Sequence, residues 1–230
     1  MKRDIYKIDN SIERLLNDKS TLFLDQKELK IIISKLHKKY YNAYYPYKTS
    51  EKVILYTKKI PKVTLFKIIS NNTLRHQDIL GSIMGLNISS SYLGDIIIDN
   101  DNYYFYILSE LSNYIKENLL YIGNNKITLE ELNINYLDYY ERKYKEIELI
   151  VSSNRIDTVI SRLINKQRDS VIELIKNKDV ILNYDVLTKN SYYLKENDIF
   201  SIRKYGKYKF INVLKSTKKD KLIIKCLKYI

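Results

Sequence analysis

At 230 residues, 45% of them hydrophobic, the chain is long enough to bury one large core or two to three small ones, and it reads as globular. Its 40 basic against 27 acidic residues leave a net charge of +13, a surface that favours a polyanionic partner, with nucleic acid first. A single cysteine, Cys226, excludes an intramolecular disulfide, no Cys/His cluster has zinc spacing, and no apolar run approaches the roughly 18 residues of a membrane span, so a cytoplasmic protein with no membrane and no metal partner is expected.

In chain order, Ile5, Ile8, Ile12, Leu15 and Leu16 recur at helical spacing, as do Leu29, Ile32, Ile33 and Leu36, which predicts helices over residues 5–16 and 25–37. The tyrosine-rich stretch 40–47 breaks the pattern. Its rings either pack internally, the simpler reading, or stack on bases. Residues 52–57 and 63–69 are rich in β-branched side chains and read as strands on either side of Pro61, so residues 1–69 form an N-terminal α+β module.

The next segment predicts a helix over 77–86, a strand over 95–98, a turn at Asn100, Asp101 and Asn102, a strand over 103–108, a second helix over 110–120 and a strand over 126–129. That order suggests a small split β-α-β sheet, residues 70–148. Gly81 and Gly85 fall on one face of the first of these helices, where the missing side chains would let a sheet or another helix approach. Residues 138–148 are polar, lack a buried stripe and mark a boundary.

Asn154 is placed to cap a helix, with Asp157 three residues on to reach back, and Ile156, Val159, Ile160 and Leu163 supply the buried stripe. A second helix covers 168–175, and strands follow over 180–182, 186–187, 199–203, 207–214 and 222–227. Residues 149–230 are thus a third module, of two short helices and a small twisted sheet.

The charge is unevenly spread. Residues 1–69 hold 16 basic and 7 acidic residues, 70–150 hold 6 and 12, and 151–230 hold 18 and 8, giving +9, −6 and +10. The negative middle argues against a phosphate groove there. Catalytic sets are missing from the sequence. There are two histidines, His37 and His76, and His76 lies two residues from Asp78, a spacing that points the side chains apart on a helix. No GxGxxG, Walker, GxSxG or HExxH pattern occurs, and Asp99 with Asp101, or Glu130 with Glu131, read as solvated turns and helix starts. No enzyme, cofactor or metal site is expected.

In the third module Arg155 and Arg162 are seven apart on one helix, Lys166 lies in the following loop and Arg168 opens the next helix. Guanidinium forks match phosphate oxygens. A ridge of them beside a β-edge carrying Arg203, Lys204, Tyr205, Lys207 and Lys209 would follow an RNA backbone by shape, with Tyr205 and Tyr208 offering rings at the rim. A solvated charged face is the plainer alternative.

Residues 153–160, SNRIDTVI, then Arg168 with Val171 and residues 173–175, ELI, then 180–183, VILN, then 198–203, DIFSIR, resemble in order the RNA-binding domain named after ribosomal protein S-four. Lys178 and Asn197 stand where that family has glycine. Lysine tolerates positive φ less well than asparagine, so the turn at Lys178 is expected to be reshaped. Upstream, residues 74–98, LRHQDILGSIMGLNISSSYLGDIII, resemble a segment of the bacterial YlmH family, with Gln77 in place of that family's arginine, and residues 21–25, TLFLD, are similar to its entry motif.

The resemblance implies an α+β protein with an N-terminal α/β module, a central sheet similar to RNA-recognition folds and a C-terminal domain of the S-four type. It implies a monomer acting as an RqcP-like factor of ribosome-associated quality control. Its partners would be large-subunit rRNA, peptidyl-tRNA and the large ribosomal subunit with a nascent-chain tailing factor, while alanine tails are added to stalled chains. The alternatives are an RNA-modification enzyme or accessory, since S-four-type domains are often appended to such enzymes, and a cell-division scaffold.

Overall fold

A computed structural model of the protein describes residues 2–36, 40–217 and 220–230. His37, the end of the second predicted helix, lies outside the described residues, as does the side chain of Ile5 in the first. The fold is mixed α+β and divides into two compact units, residues 1–141 and 142–230.

The first unit opens with α1 (Lys2–Leu16) and α2 (Gln26–Lys35), both at the expected places. Asp25 caps α2 in a reciprocal box: its carboxylate accepts from the Glu28 N–H at 2.8 Å, and the Glu28 carboxylate accepts from the Asp25 N–H at 2.9 Å. Two short strands, β1 (Asn42–Tyr44) and β2 (Ile54–Tyr56), pair antiparallel, and Leu24 bridges Val53. Ile8, Leu15, Leu24, Leu29, Ile32, Val53 and Leu55 close an apolar cluster among these elements.

Next come β3 (Val63–Ile69), α3 (His76–Gly85), β4 (Leu93–Asp99), β5 (Asn102–Leu108), α4 (Ser112–Asn118), the β6 (Tyr121–Ile122) and β7 (Asn125–Lys126) hairpin, and β8 (Thr128–Leu132). The four longer strands form an antiparallel sheet in the order β4-β5-β3-β8, the split β-α-β arrangement. A boundary after residue 69 would separate β3 from β5 and β8, to which it is hydrogen-bonded along its length. The sheet, not the predicted boundary, sets the unit.

Side chains alternate across a strand, so each face of this sheet has its own core. Phe66, Ile68, Phe105 and Ile107 meet Ile79 and Ile83 of α3 and Ile115 of α4. On the other face Leu65, Ile97, Tyr104 and Tyr106 meet Phe23, Tyr47, Ile54 and Leu137, so the N-terminal layer lies on the face that carries no helix. The Tyr47 and Tyr106 rings stack at 5.7 Å and 13°. Asp95 fixes the cover, accepting from the Tyr47 hydroxyl and the Glu51 N–H, each at 2.7 Å, and from the Ser50 hydroxyl at 3.1 Å. Burial of each large apolar side chain contributes roughly 1.5–3 kcal/mol, so peeling back Phe23, Tyr47, Ile54 and Leu137 would cost as much as the whole stability of many domains, about 5–15 kcal/mol.

Glycines play a different part from the one predicted. Gly81 and Gly85 of α3 have nothing within 4 Å of where a side chain would begin, so no other element among the described residues uses the close approach they permit. Gly94 does the packing work instead. A Cβ there would lie 2.8 Å from Cβ of Tyr106 and 2.9 Å from Cζ of Phe23.

The second unit begins earlier than expected. Residues 142–148, read as a polar boundary, belong largely to β9 (Tyr144–Val151), which pairs with β14 (Leu222–Tyr229) over its full length. Between them lie α5 (Ile156–Leu163), α6 (Arg168–Lys176), β10 (Val180–Leu182), β11 (Asp185–Val186), β12 (Ile199–Ile202) and β13 (Gly206–Ser216), in a six-stranded sheet ordered β11-β10-β12-β13-β14-β9. One face, with Val151, Phe200, Ile202, Tyr208, Phe210, Ile224 and Cys226, packs on Ile156, Val159, Ile160, Val171 and Ile175 of the two helices. At the two positions where the S-four resemblance has glycine, Lys178 adopts φ 62 and Asn197 φ 68, the left-handed region that favours glycine.

Candidate nucleic-acid interface

The site is built around the start of α5. Asn154 does not cap this helix. Arg155 occupies the N-cap position without a side-chain cap bond, while the Asn154 amide donates to the Leu194 carbonyl at 3.0 Å. The Ile156 N–H donates to the Tyr192 carbonyl at 2.8 Å and the Leu194 N–H to that of Asn154 at 3.0 Å, and these backbone ties set where the helix begins. Asp157, expected to reach back to a cap, points inward and is fully buried.

A buried carboxylate is costly unless paired, and Asp157 is paired heavily. Its Oδ1 accepts from the Thr158 N–H at 2.8 Å and from Arg155 Nε at 3.2 Å. Its Oδ2 accepts from Arg155 Nη2 at 2.9 Å and from Arg168 Nε and Nη2 at 3.0 and 2.8 Å. Burial works to raise the Asp157 pKa, but the hydrogen bonds from Arg155 and Arg168 overcome it and hold the carboxyl below the usual carboxylate range. Arg168 stays about half exposed and Arg155 about a quarter. Each guanidinium donates through Nε and Nη2, which leaves N–H groups on its outer edge for a further acceptor. Asp157 therefore orients two forks.

The other predicted residues are distributed around this pair. Arg162, exposed in the last turn of α5, donates from Nε to the Ile150 carbonyl at 3.3 Å, towards β9 and away from Asp157. Lys166 is exposed in the α5–α6 loop, its carbonyl accepting from the Ser161 hydroxyl at 2.6 Å. Arg203 and Lys204 are exposed and Tyr205 is half-buried in the β12–β13 turn, where Arg203 meets Asp179 at 3.2 Å through the side chains and 2.9 Å through the backbone. These three, with Asp179 and Leu174 of α6, line a pocket of about 320 Å³. Leu174 follows Arg168 by six residues, roughly 9 Å along the helix axis, so the arginine pair and the hairpin turn flank one helix.

Lys207 and Lys209 do not join them. Tyr208 and Phe210 are buried against the helices, so their neighbours project from the opposite face of the sheet. There the Lys207 ammonium lies 4.7 Å from the Tyr229 ring centroid and 5.7 Å from that of Tyr184. Tyr208 is not a rim residue either. Its ring stacks on Phe200 at 5.6 Å and its hydroxyl donates to the Tyr205 carbonyl at 3.0 Å.

Two residues carried by the S-four resemblance hold the sheet together. The Asn183 amide donates to Asp198 Oδ1 at 2.7 Å, the Ile199 N–H donates to Asn183 Oδ1 at 3.0 Å, and the Lys195 N–H donates to Asp198 Oδ2 at 2.8 Å. In the first unit, Asp78 is bound by Arg75 at 2.7 and 2.9 Å, while His76 sits exposed at the start of α3. Among the described residues, no group of three or more His, Cys, Asp or Glu side chains is arranged to hold a metal ion, and no helix is long and apolar enough to cross a membrane.

Residues 62–136 match the family described as "Putative RNA-binding domain in YlmH", a stretch that runs from the start of β3 past the end of β8. The resemblance to the YlmH family is borne out. A curated relative, "Ribosome-associated protein quality control protein P2" of Bacillus subtilis (strain 168), is 27% identical over 146 residues, which cover 64% of this chain. The matched part spans 57% of that relative's length. Among solved structures, "Cell division protein ylmH from Streptococcus pneumoniae" aligns with 58% of this chain and 92% of its own at 20% identity and a TM-score of 0.48. The YlmH match falls on the part of the chain poorest in positive charge: residues 62–136 hold 5 basic and 8 acidic residues, whereas 142–230 hold 21 and 10, a net of +11.

Proposed function

We propose that this protein is a non-enzymatic RNA-binding factor that associates with the bacterial large ribosomal subunit in quality control of stalled nascent chains. It contacts large-subunit rRNA and peptidyl-tRNA and works beside the factor that adds alanine tails. The observation that carries the reading is the pair of guanidinium forks on Asp157, both partly exposed on a unit of net charge +11. The YlmH match and the name of the Bacillus relative point the same way.

In this reading the second unit is an S-four-type domain. Phosphates lie across the N-terminal ends of α5 and α6, taken by Arg155 and Arg168, with Lys166 beside them and Arg203, Lys204 and Tyr205 at the far end of α6. Arg162 extends the contact along α5, and Lys207 and Lys209 act from the other face of the sheet. Recognition is by backbone charge and shape.

The test is cosedimentation of the full chain with purified large subunits, together with its affinity for a structured large-subunit rRNA fragment across a salt series. Binding that weakens steeply with salt, by about 0.9 in the log–log slope per phosphate contacted on a duplex, is the expected result. Affinity that is flat with salt, or absence from the large-subunit fraction, overturns the reading.

A further inference from the structure

In RNA-recognition folds, which share this four-stranded sheet, aromatic side chains of the sheet stack two or three bases. Here the central strands are β3 and β5, and the rings on the face away from α3 and α4 are Tyr104 and Tyr106, both on β5, beside Leu65 of β3. Both are buried, at 5% and 0% exposure, and each already faces a ring of its own chain: Tyr47 stacks on Tyr106, and Tyr136 lies 5.9 Å from Tyr104 at 41°. The Asp95 hydrogen bonds and the close fit of Phe23 on Gly94 hold that cover in place. Protein has taken the position of the bases.

The cover also carries the charge that the sheet lacks. Residues 1–61 hold 14 basic and 7 acidic residues, against 5 and 8 in residues 62–136. Part of it gathers at one corner. The Thr21 N–H donates to the Leu55 carbonyl at 2.8 Å, Lys58 pairs with Asp18, and the Asn42 amide donates to the Thr57 carbonyl at 3.4 Å. These contacts bring together the segment after α1, the end of β2 and the start of β1. Lys19, Lys58 and Lys59 are exposed there, and so is the Tyr40 ring, at 61%.

We propose that RNA meets the first unit at this corner, with phosphates on Lys19 and Lys59 and an unstacked base on Tyr40, and not on the four-stranded sheet. The proposal rests on the reading of the chain as an RNA-binding protein. Lys58 is held by Asp18, which leaves Lys19 and Lys59 to approach the backbone. Lysine amines beside an exposed ring are the pairing that single-stranded RNA uses without sequence preference.

Ultraviolet crosslinking of the full chain to a large-subunit rRNA fragment, followed by peptide mapping, tests it. Nucleotide adducts are expected on the peptides holding Lys19, Tyr40 and Lys59, besides those in residues 142–230. The Lys19→Gln/Lys59→Gln double variant is expected to lower the log–log salt slope by up to about 1.4 to 1.8, given 0.7 to 0.9 per phosphate lost, with an unchanged melting curve. Adducts on Tyr104 or Tyr106 overturn the proposal, because the sheet face would then be open to RNA. Adducts confined to residues 142–230 with an unchanged slope also overturn it, yet leave the proposed function standing. No adducts and no binding in either unit would remove both.

Discussion

Arg155 and Arg168 converge on one oxygen, the buried Oδ2 of Asp157, at 2.9 and 2.8 Å. Exposed arginines can usually be truncated at little cost to folding, but these two neutralise a carboxylate with no access to water.

The double variant Arg155→Ala/Arg168→Ala is therefore expected to lose stability as well as RNA affinity. Leaving a buried charge without partners costs roughly 3–5 kcal/mol, visible as a large drop in the urea midpoint of the second unit. Adding Asp157→Asn should restore a good part of that stability, because the uncompensated charge is gone. RNA affinity should stay low in the triple variant, and a triple variant that binds RNA normally would remove both arginines from the interface.

Acid should destabilise the second unit through the same carboxylate. The Asp157 pKa is lowered in the folded state, so the native state releases this proton more readily than the unfolded chain does. The stabilisation is present in full above the unfolded aspartate value, near 4, and is lost as pH falls through the lower folded value. Thermal midpoints measured from pH 6 down to pH 3 should fall, and the Asp157→Asn variant should lack this component. Equal acid sensitivity in the two proteins would show that other carboxylates dominate.

Gly94→Ala is expected to loosen the cover of the first unit. The new methyl would press on Tyr106 and Phe23 at 2.8 and 2.9 Å, both fully buried, and overpacking of this kind costs typically 1–3 kcal/mol. Circular dichroism melts would register the loss, whereas Gly81→Ala, in open space on an exposed helix face, should be neutral or stabilising by up to about 1 kcal/mol.

Lys178→Gly should stabilise the second unit. Lys178 sits at φ 62, where a side chain costs on the order of 1 kcal/mol, and glycine removes that cost at the expense of some unfolded-state entropy. A urea midpoint raised by the equivalent of a few tenths to 1 kcal/mol is the expected outcome.

The elements that could be read from sequence are those whose own residues decide them. Val63–Ile69 and Val180–Leu182 are β-branched runs and form strands with the predicted bounds, and α1 and α2 follow their apolar spacing. β9 could not be read this way. Its outward side chains include Glu146 and Glu148, its inward Ile147 and Leu149 are only partly buried, and its strand character depends on β14, far along the chain. Asp157 was hidden for a related reason: an aspartate in a first helical turn is ordinarily a capping residue, and its burial follows from an arginine eleven positions away. The separation of Lys207 and Lys209 from the arginines was legible, since Tyr208 and Phe210 alternate with them and a strand sends alternate residues to opposite faces. Composition pointed to the basic second unit, but no local pattern announced that Tyr47 would lie on Tyr106.

The pairing of β9 with β14 also orders events during synthesis. β9 has no other partner in the sheet, and β14 is made only after α5, α6 and the four strands β10 to β13. While the chain is being translated, α5 can cover the inward side chains of β9 as soon as it forms, but the backbone edge of β9 must wait unpaired until β14 emerges, open meanwhile to a chaperone or to a stray strand. The first unit, whose sheet pairs only strands made earlier, can finish folding before that delay begins.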